Sequence, residues 1–374
     1  MIPKRFTMFA ILLLIFSLPT LAFAQPAKQT SYAPDQLIVK FKENASIQAK
    51  TNIHQQNDAK VLKRNEKLGF EVIQFKGKSV SEMMNKYKKL PQVEYVEPNY
   101  IAHALAAPND PYYPQQWGLQ KIGGPFTGTG NSVKLAVIDT GVQADHPDLS
   151  GKVIEGWDFV DDDSVSQDGN GHGTAMAGIA AANINNGIGV AGTTNTAQIL
   201  AVRVLNNSGS GTFADIASGI SYAADQGAKV INLSLGGSTS STALENAVNY
   251  AWSKGAVLVA AAGSSASTTP SYPAYYANVI AVACTDQYDN KCSFSSYGNW
   301  IDVGAPGVNI MTTYLGGAYQ TLSGVSMSTA FVSGAAAYLA SQGKTNTQIR
   351  YTIEDQCPVP IPGQSFGRLR ILCS

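Results

Sequence analysis

Histidine is scarce in this chain: His54, His103, His146 and His172 are the four in 374 residues, so chemistry that needs an imidazole has few candidates. Cysteine is absent before Cys284, which excludes a disulfide-dense scaffold for the first three quarters of the sequence. Basic and acidic residues balance at 26 each, leaving no net charge of the kind a polyanion attracts, and no nucleic-acid partner is expected. The apolar run Phe6 to Leu18 falls short of the roughly 20 residues that span a bilayer, so no membrane anchor is expected, and no later segment reads as a spanning helix. What remains is 44% apolar and long enough for one sizeable core beside a smaller companion.

Lys4 and Arg5 precede that apolar run, and Ala22-Phe23-Ala24 follows it with small residues where a signal peptidase cuts. Residues 1–24 therefore read as a signal peptide of a secreted, extracellular protein. Residues 25–107 form a second segment, in which Leu37 to Lys42 and Phe70 to Gln74 alternate as strands. Helical spacing runs through Ile47 to Lys60 and Val80 to Leu90, and a last strand covers Val93 to Val96, giving a small ferredoxin-like β-α-β-β-α-β domain of α+β type. Thirteen basic and eight acidic residues occur here, against eleven and eighteen in residues 108–374, and opposite signs suit docking of one part on the other.

From residue 108 short apolar strands alternate with alanine-rich helices: strands at Lys134 to Ile138, Gln198 to Val202, Val230 to Leu233, Val257 to Ala261 and Val279 to Ala283, helices at Gly171 to Ala182, Phe213 to Gln226, Thr242 to Lys254 and Ser326 to Gln342. Strands without a polar face imply an α/β fold: a doubly wound, mostly parallel sheet with helices on both faces. Ligands of such sheets bind outside the carboxyl ends of the strands, where Asp139 ends one strand and His172 and Ser326 open two helices.

Those three side chains can do covalent chemistry. A serine hydroxyl is a poor nucleophile until a base takes its proton, and His172, bracketed by Gly171 and Gly173, is the accessible imidazole. Asp139 would accept the Nδ1 proton, fix the tautomer and stabilise the imidazolium. The chain order Asp, His, Ser separates this arrangement from others that reach the same geometry. Among the cysteines, order pairs Cys284 with Cys292 across a hairpin and Cys357 with Cys373 across a proline-rich tail, with free thiols or crossed pairings as the alternatives.

The segments Val137-Ile138-Asp139-Thr140-Gly141-Val142, His146-Pro147-Asp148-Leu149, Gly169-Asn170-Gly171-His172-Gly173-Thr174 and Ser234-Leu235-Gly236-Gly237 resemble the subtilisin-like serine peptidases, most closely their thermitase branch. The resemblance runs from about Tyr32 to the end. It implies a monomeric secreted endopeptidase made as a zymogen, whose inhibitor-like propeptide assists folding, fills the cleft and is cut off by the enzyme itself near Ala106 or Ala107. It also implies that a substrate backbone lies as an added strand between Gly209-Ser210-Gly211 and Ser234-Leu235-Gly236, with Ala261, Ala262 and Gly263 along the primary pocket. Two calcium ions follow from the same likeness. One would take Asp158, Asp161, Asp163, the Val165 carbonyl and Gln167, an acidic loop whose carboxylates otherwise repel. The other would take Asp110, Asp148, the Asn186 side chain and the carbonyls of Asn183, Ile188 and Val190.

The departures from the family pattern are local. Ser264 stands where the family has the asparagine that, with the Ser326 backbone N–H, faces the developing oxyanion. Val325 replaces a threonine beside the nucleophile, Ala330 a helix proline, and Ala175 and Met176 the residues after Gly-His-Gly-Thr. None removes a triad member. The sequence reads as an endopeptidase of lowered turnover, with a peptide-binding protein that does not turn over as the alternative.

Overall fold

The computed structural model describes residues 32–101, 107–130, 132–356 and 358–370, and the chain divides between Ala106 and Ala107 into two compact units. The signal-peptide reading, the cut beside Ala106 and the Cys357–Cys373 pair lie outside the described residues.

The first unit runs β1 (Tyr32–Phe41), α1 (Ile47–Gln56), β2 (Ala59–Asn65), β3 (Phe70–Phe75), α2 (Val80–Lys88) and β4 (Val93–Tyr100), with an antiparallel sheet in the order β2-β3-β1-β4. Alternation buries Leu37, Val39 and Phe41 with Ile73 and Phe75, against Val80, Met83 and Tyr87 of α2. Ser46 caps α1, and Ser79 with Glu82 forms a capping box on α2. The helix expected to reach Lys60 stops at Gln56: Asn57 turns the chain, Asp58 takes a left-handed φ of 54°, and Ala59 starts β2 opposite Phe75.

The second unit begins with α3 (Trp117–Lys121), β5 (Val133–Asp139), β6 (Val153–Asp158), α4 (His172–Ala181), β7 (Ala197–Arg203), α5 (Phe213–Asp225) and β8 (Val230–Leu233). It continues through α6 (Thr242–Ser253), β9 (Val257–Ala261), β10 (Val279–Thr285), β11 (Val303–Pro306), the hairpin β12 (Ile310–Tyr314) and β13 (Ala318–Leu322), α7 (Val325–Ser341), α8 (Asn346–Tyr351), β14 (Val359–Pro360) and β15 (Gly367–Arg368). The main sheet is ordered β14-β15-β11-β10-β9-β8-β5-β7-β6, parallel throughout except for the β14–β15 pair at one edge.

Strand alternation divides the core into two layers. Leu135 and Val137 of β5 face one side with the α4 residues Ala177 and Ala180 and the α7 residues Phe331 and Ala335, whereas Ala136 and Ile138 face the other with Ile216 and Ile220 of α5 and Leu244 and Val248 of α6. Helices thus cover both faces, as the apolar strands imply. β6, β11 and the β12–β13 hairpin were not read from the sequence. Cys284 and Cys292 are joined, their Cα atoms 5.4 Å apart, closing the turn after β10 as the local pairing expects.

Candidate active site

Asp139 is the last residue of β5, the strand at which the winding reverses, since β6 and β7 lie on one side of it and β8 to β11 on the other. A crevice is expected outside strand ends at such a switch point. A cleft of about 550 Å³ opens there, with His172, Gly209, Ser210, Gly211, Ser234, Leu235 and Gly236 in its walls. The two segments expected to receive a substrate strand therefore face the same space as the histidine. A larger cavity of about 720 Å³, lined in part by Lys134, Lys229 and Lys344, holds none of the expected site residues.

His172 opens α4, and its two glycine neighbours are required by space. Gly171 has a φ of 102°, and a side chain there would meet the Tyr314 ring; one on Gly173 would strike the Gly141 carbonyl at 2.0 Å. The ring is half-buried and donates from Nδ1 to Asp139 Oδ1 at 2.7 Å, where the Thr140 backbone N–H also donates at 2.8 Å. Asp139 is fully buried, and its Oδ2 has no hydrogen-bond partner among the described residues. Burial of the imidazole disfavours its charged form, but the charge and hydrogen bond of Asp139 and the charge of Asp168 outweigh that cost, so the His172 pKa lies above its ordinary 6.5.

Ser326 is the second residue of α7, beside the positive end of a 17-residue helix. Its hydroxyl donates to the Ser234 carbonyl at 3.2 Å, and the Ser234 hydroxyl donates back to the Ser326 carbonyl at 3.1 Å. Among the described residues no hydrogen bond joins Ser326 to His172. Ser264 follows Gly263 in an exposed turn and its hydroxyl has no partner among the described residues. Val325 is buried with Ala261, Ala262 and Ala283, so the methyl group that replaces a hydroxyl there finds an apolar setting. In the segment expected along the primary pocket, Ala261 and Ala262 are buried at 6% and 0% exposure, and Gly263 and Ser264 are its accessible part.

The two expected metal positions differ. Asp110 and Asp148 are both buried; Asp110 accepts the N–H groups of Asn185 and Asn186, and Asp148 accepts the Asn186 amide at 2.7 Å and the Val190 N–H at 2.7 Å. Burial raises the Asp148 pKa, its hydrogen bonds work against the rise, and the charge of Asp110 adds to it. This is a set of hard oxygens with excess negative charge out of water, which fits a calcium ion. In the acidic loop the charge is partly compensated. Asp158 and Asp161 are not unpaired, because the Arg203 guanidinium at the end of β7 donates to both, and Asp163 accepts the Val165 N–H at 2.8 Å. Gln167 is exposed. No group of three or more His, Cys, Asp or Glu side chains suited to a metal occurs among the described residues.

Thr140 and Asp168 were not singled out in the sequence, yet both are buried beside His172. The available signal was Asp168-Gly169-Asn170-Gly171, a run of turn residues ending at the histidine.

The pattern of the Subtilase family matches residues 130–367, and that of the Fervidolysin N-terminal prodomain matches residues 19–99. Thermitase of Thermoactinomyces vulgaris is 60% identical over 252 residues, covering 66% of this chain and 90% of that protein. A thermophilic serine proteinase of Bacillus sp. (strain AK1) is 48% identical over 329 residues, covering 87% and 82%. The solved structure of sphericase superposes with a TM-score of 0.65 at 35% identity, covering 70% of this chain and all of that one.

Proposed function

The chain belongs to the subtilase family and is a secreted serine-type endopeptidase, and from that premise we propose that Ser326, His172 and Asp139 are its nucleophile, general base and orienting carboxylate. The observation that carries this reading is the 2.7 Å bond from His172 Nδ1 to the buried Asp139 at the mouth of the cleft, with Ser326 tied to Ser234 in the wall of the same cleft. A peptide laid as a strand against Ser234-Leu235-Gly236 and Gly209-Ser210-Gly211 would compete for the Ser234 carbonyl. The Ser326 hydroxyl, displaced from it, would turn to His172 Nε2, lose its proton there and add to the scissile carbonyl. The imidazolium returns that proton to the leaving amine, and water hydrolyses the acyl enzyme by the reverse steps.

The oxyanion would meet the Ser326 backbone N–H and, more weakly, Ser264. Loss of a side-chain amide donor from a subtilisin site costs about 2.7–4 kcal/mol, so turnover is expected to be low for the fold. A calcium ion would be held by Asp110, Asp148, Asn186 and the carbonyls of Asn183, Ile188 and Val190, where its charge offsets two buried carboxylates. We assign residues 1–24 to a signal peptide, 25–107 to a ferredoxin-like, self-cleaved propeptide that assists folding and inhibits the site, and 108–374 to the peptidase.

Mass spectrometry of the full chain refolded with calcium, wild type beside Ser326→Ala, tests the reading. Propeptide release and casein cleavage in the wild type alone are expected. Intact precursor in both, with native circular dichroism, would favour binding without turnover.

A further inference from the structure

The position of His172 relative to Asp139 depends on a second buried carboxylate. Asp168, 4% exposed, accepts five hydrogen bonds: Thr140 Oγ1 (2.9 Å), Asn170 N–H (2.9 Å) and Gly171 N–H (2.9 Å) on Oδ1, and Thr174 N–H (2.9 Å) and Thr174 Oγ1 (2.6 Å) on Oδ2. The two residues before His172 and the second after it are therefore tied to one group. The remaining neighbour, Gly173, donates its N–H to Thr140 Oγ1 at 3.0 Å. Thr140 also donates its backbone N–H to Asp139 Oδ1, the oxygen that His172 uses. Beside the His172–Asp139 bond itself and the Gln143 N–H that donates to Thr174 Oγ1 at 2.9 Å, this hydroxyl and carboxylate tie the end of β5 to the start of α4.

We propose that Asp168, acting through Thr140 and the turn 169–174, is a positioning residue that sets where the His172 ring meets Asp139. The inference rests on the triad reading. An ordinary Asx turn is satisfied by one or two bonds from residues just ahead of it. Here both carboxylate oxygens are used, and one bond reaches back 28 residues to the strand that carries Asp139. The charged groups that act on the ring are Asp139 from β5 and Asp168 from the turn; the Tyr314 phenol of β12 donates to the Asn170 carbonyl at 3.3 Å, and Arg203 at the end of β7 is turned to Asp158 and Asp161. Asp168 is the second carboxylate whose charge favours the imidazolium.

The test uses the secreted, self-processed enzyme at constant calcium, with a chromogenic peptide and the variants Asp168→Asn, Thr140→Val and Thr140→Ser, beside Ser326→Ala as an unprocessed control. Asp168→Asn should lower kcat by about 10²-fold, the scale of an ångström-sized misplacement of a catalytic group, with KM little changed. Its acid limb of kcat/KM should move to lower pH, because a negative charge near His172 is gone. Thr140→Val should lose about tenfold or more in kcat on the same grounds, and Thr140→Ser, which keeps the hydroxyl, should recover most of it. If Asp168→Asn does not accumulate, the Thr140 pair decides alone. Wild-type kcat and an unmoved acid limb in Asp168→Asn, or equal losses in the two Thr140 variants, would overturn the positioning role. Activity persisting in Ser326→Ala would instead sink the triad reading on which it stands.

Discussion

Each unit contains a histidine bonded to a carboxylate at 2.7 Å, and the two pairs have different fates. In the prodomain unit His54 Nε2 meets Glu71 Oε2, while its Nδ1 lies 2.9 Å from the Tyr87 hydroxyl and Arg64 donates to the other Glu71 oxygen. Both ring nitrogens are used and the ring is buried between Phe41 and Tyr87. In the peptidase unit His172 Nδ1 meets Asp139, while Nε2 has no hydrogen-bond partner among the described residues and faces the cleft. A histidine–carboxylate pair is therefore not in itself a sign of catalysis. What makes one is the nitrogen left for a substrate, together with a nucleophile within its reach.

The largest effect that would break this comparison is Asp139→Asn. It should cut kcat by about 10⁴-fold while the protein still folds, since the amide can hold the wrong tautomer. A fold-change below ten would remove the distinction between the two pairs.

A side-chain amide supplied at position 264 sharpens it from the other side: Ser264→Asn should raise kcat by up to about 10²-fold with little change in KM. An unchanged rate would mean that the exposed turn does not face the oxyanion.

The pH dependence has a definite sign. The folded pKa of His172 is raised, so its free-base form, and with it kcat/KM, should fall away on acidification with a midpoint above 6.5. The stability contributed by the His172–Asp139 pair is fully present below the unfolded value and is lost as pH rises through the folded one. In the prodomain the Glu71 pKa is lowered, by its bond to His54 first, against the cost of burial. Its contribution is present above the ordinary carboxylate range and lost as pH falls through the depressed value. Glu71→Gln should then destabilise the prodomain unit by about 1–3 kcal/mol in urea titrations of the Ser326→Ala chain, leaving the peptidase transition in place.

Opening the Cys284–Cys292 loop with a double serine substitution should cost a similar or smaller amount, about 2–3 kcal/mol from chain entropy, with kcat nearly unchanged. An unaltered melting midpoint would count against a structural role for the bridge.

What could be read from the sequence follows from where the information lies. β8 and β9 were bounded to the residue because a strand buried on both faces is a bare apolar run, Val230 to Leu233 and Val257 to Ala261. β6 includes Glu155, Gly156 and Asp158, β11 is Val-Gly-Ala-Pro, and β15 has two residues; such strands are specified by the neighbour they pair with rather than by their own pattern. Asp139, His172 and Ser326 stand out as candidates because strand ends and glycine-bracketed helix starts are local signals. The Arg203 pairings with Asp158 and Asp161, 45 and 42 residues away, and the reach of Asp168 to Thr140, are products of the folded chain, so the local sequence shows the acidic loop without its compensating charge.

The central claim is that Ser326, and no other serine, is activated by the half-exposed histidine. The direct measurement is mass-spectrometric mapping of covalent capture by a fluorophosphonate in the processed wild-type enzyme and in a His172→Ala chain. A single adduct on Ser326 that forms more slowly as pH falls, and is absent from His172→Ala, is the predicted result. An adduct on a different serine, or equal labelling of both proteins, would contradict the account.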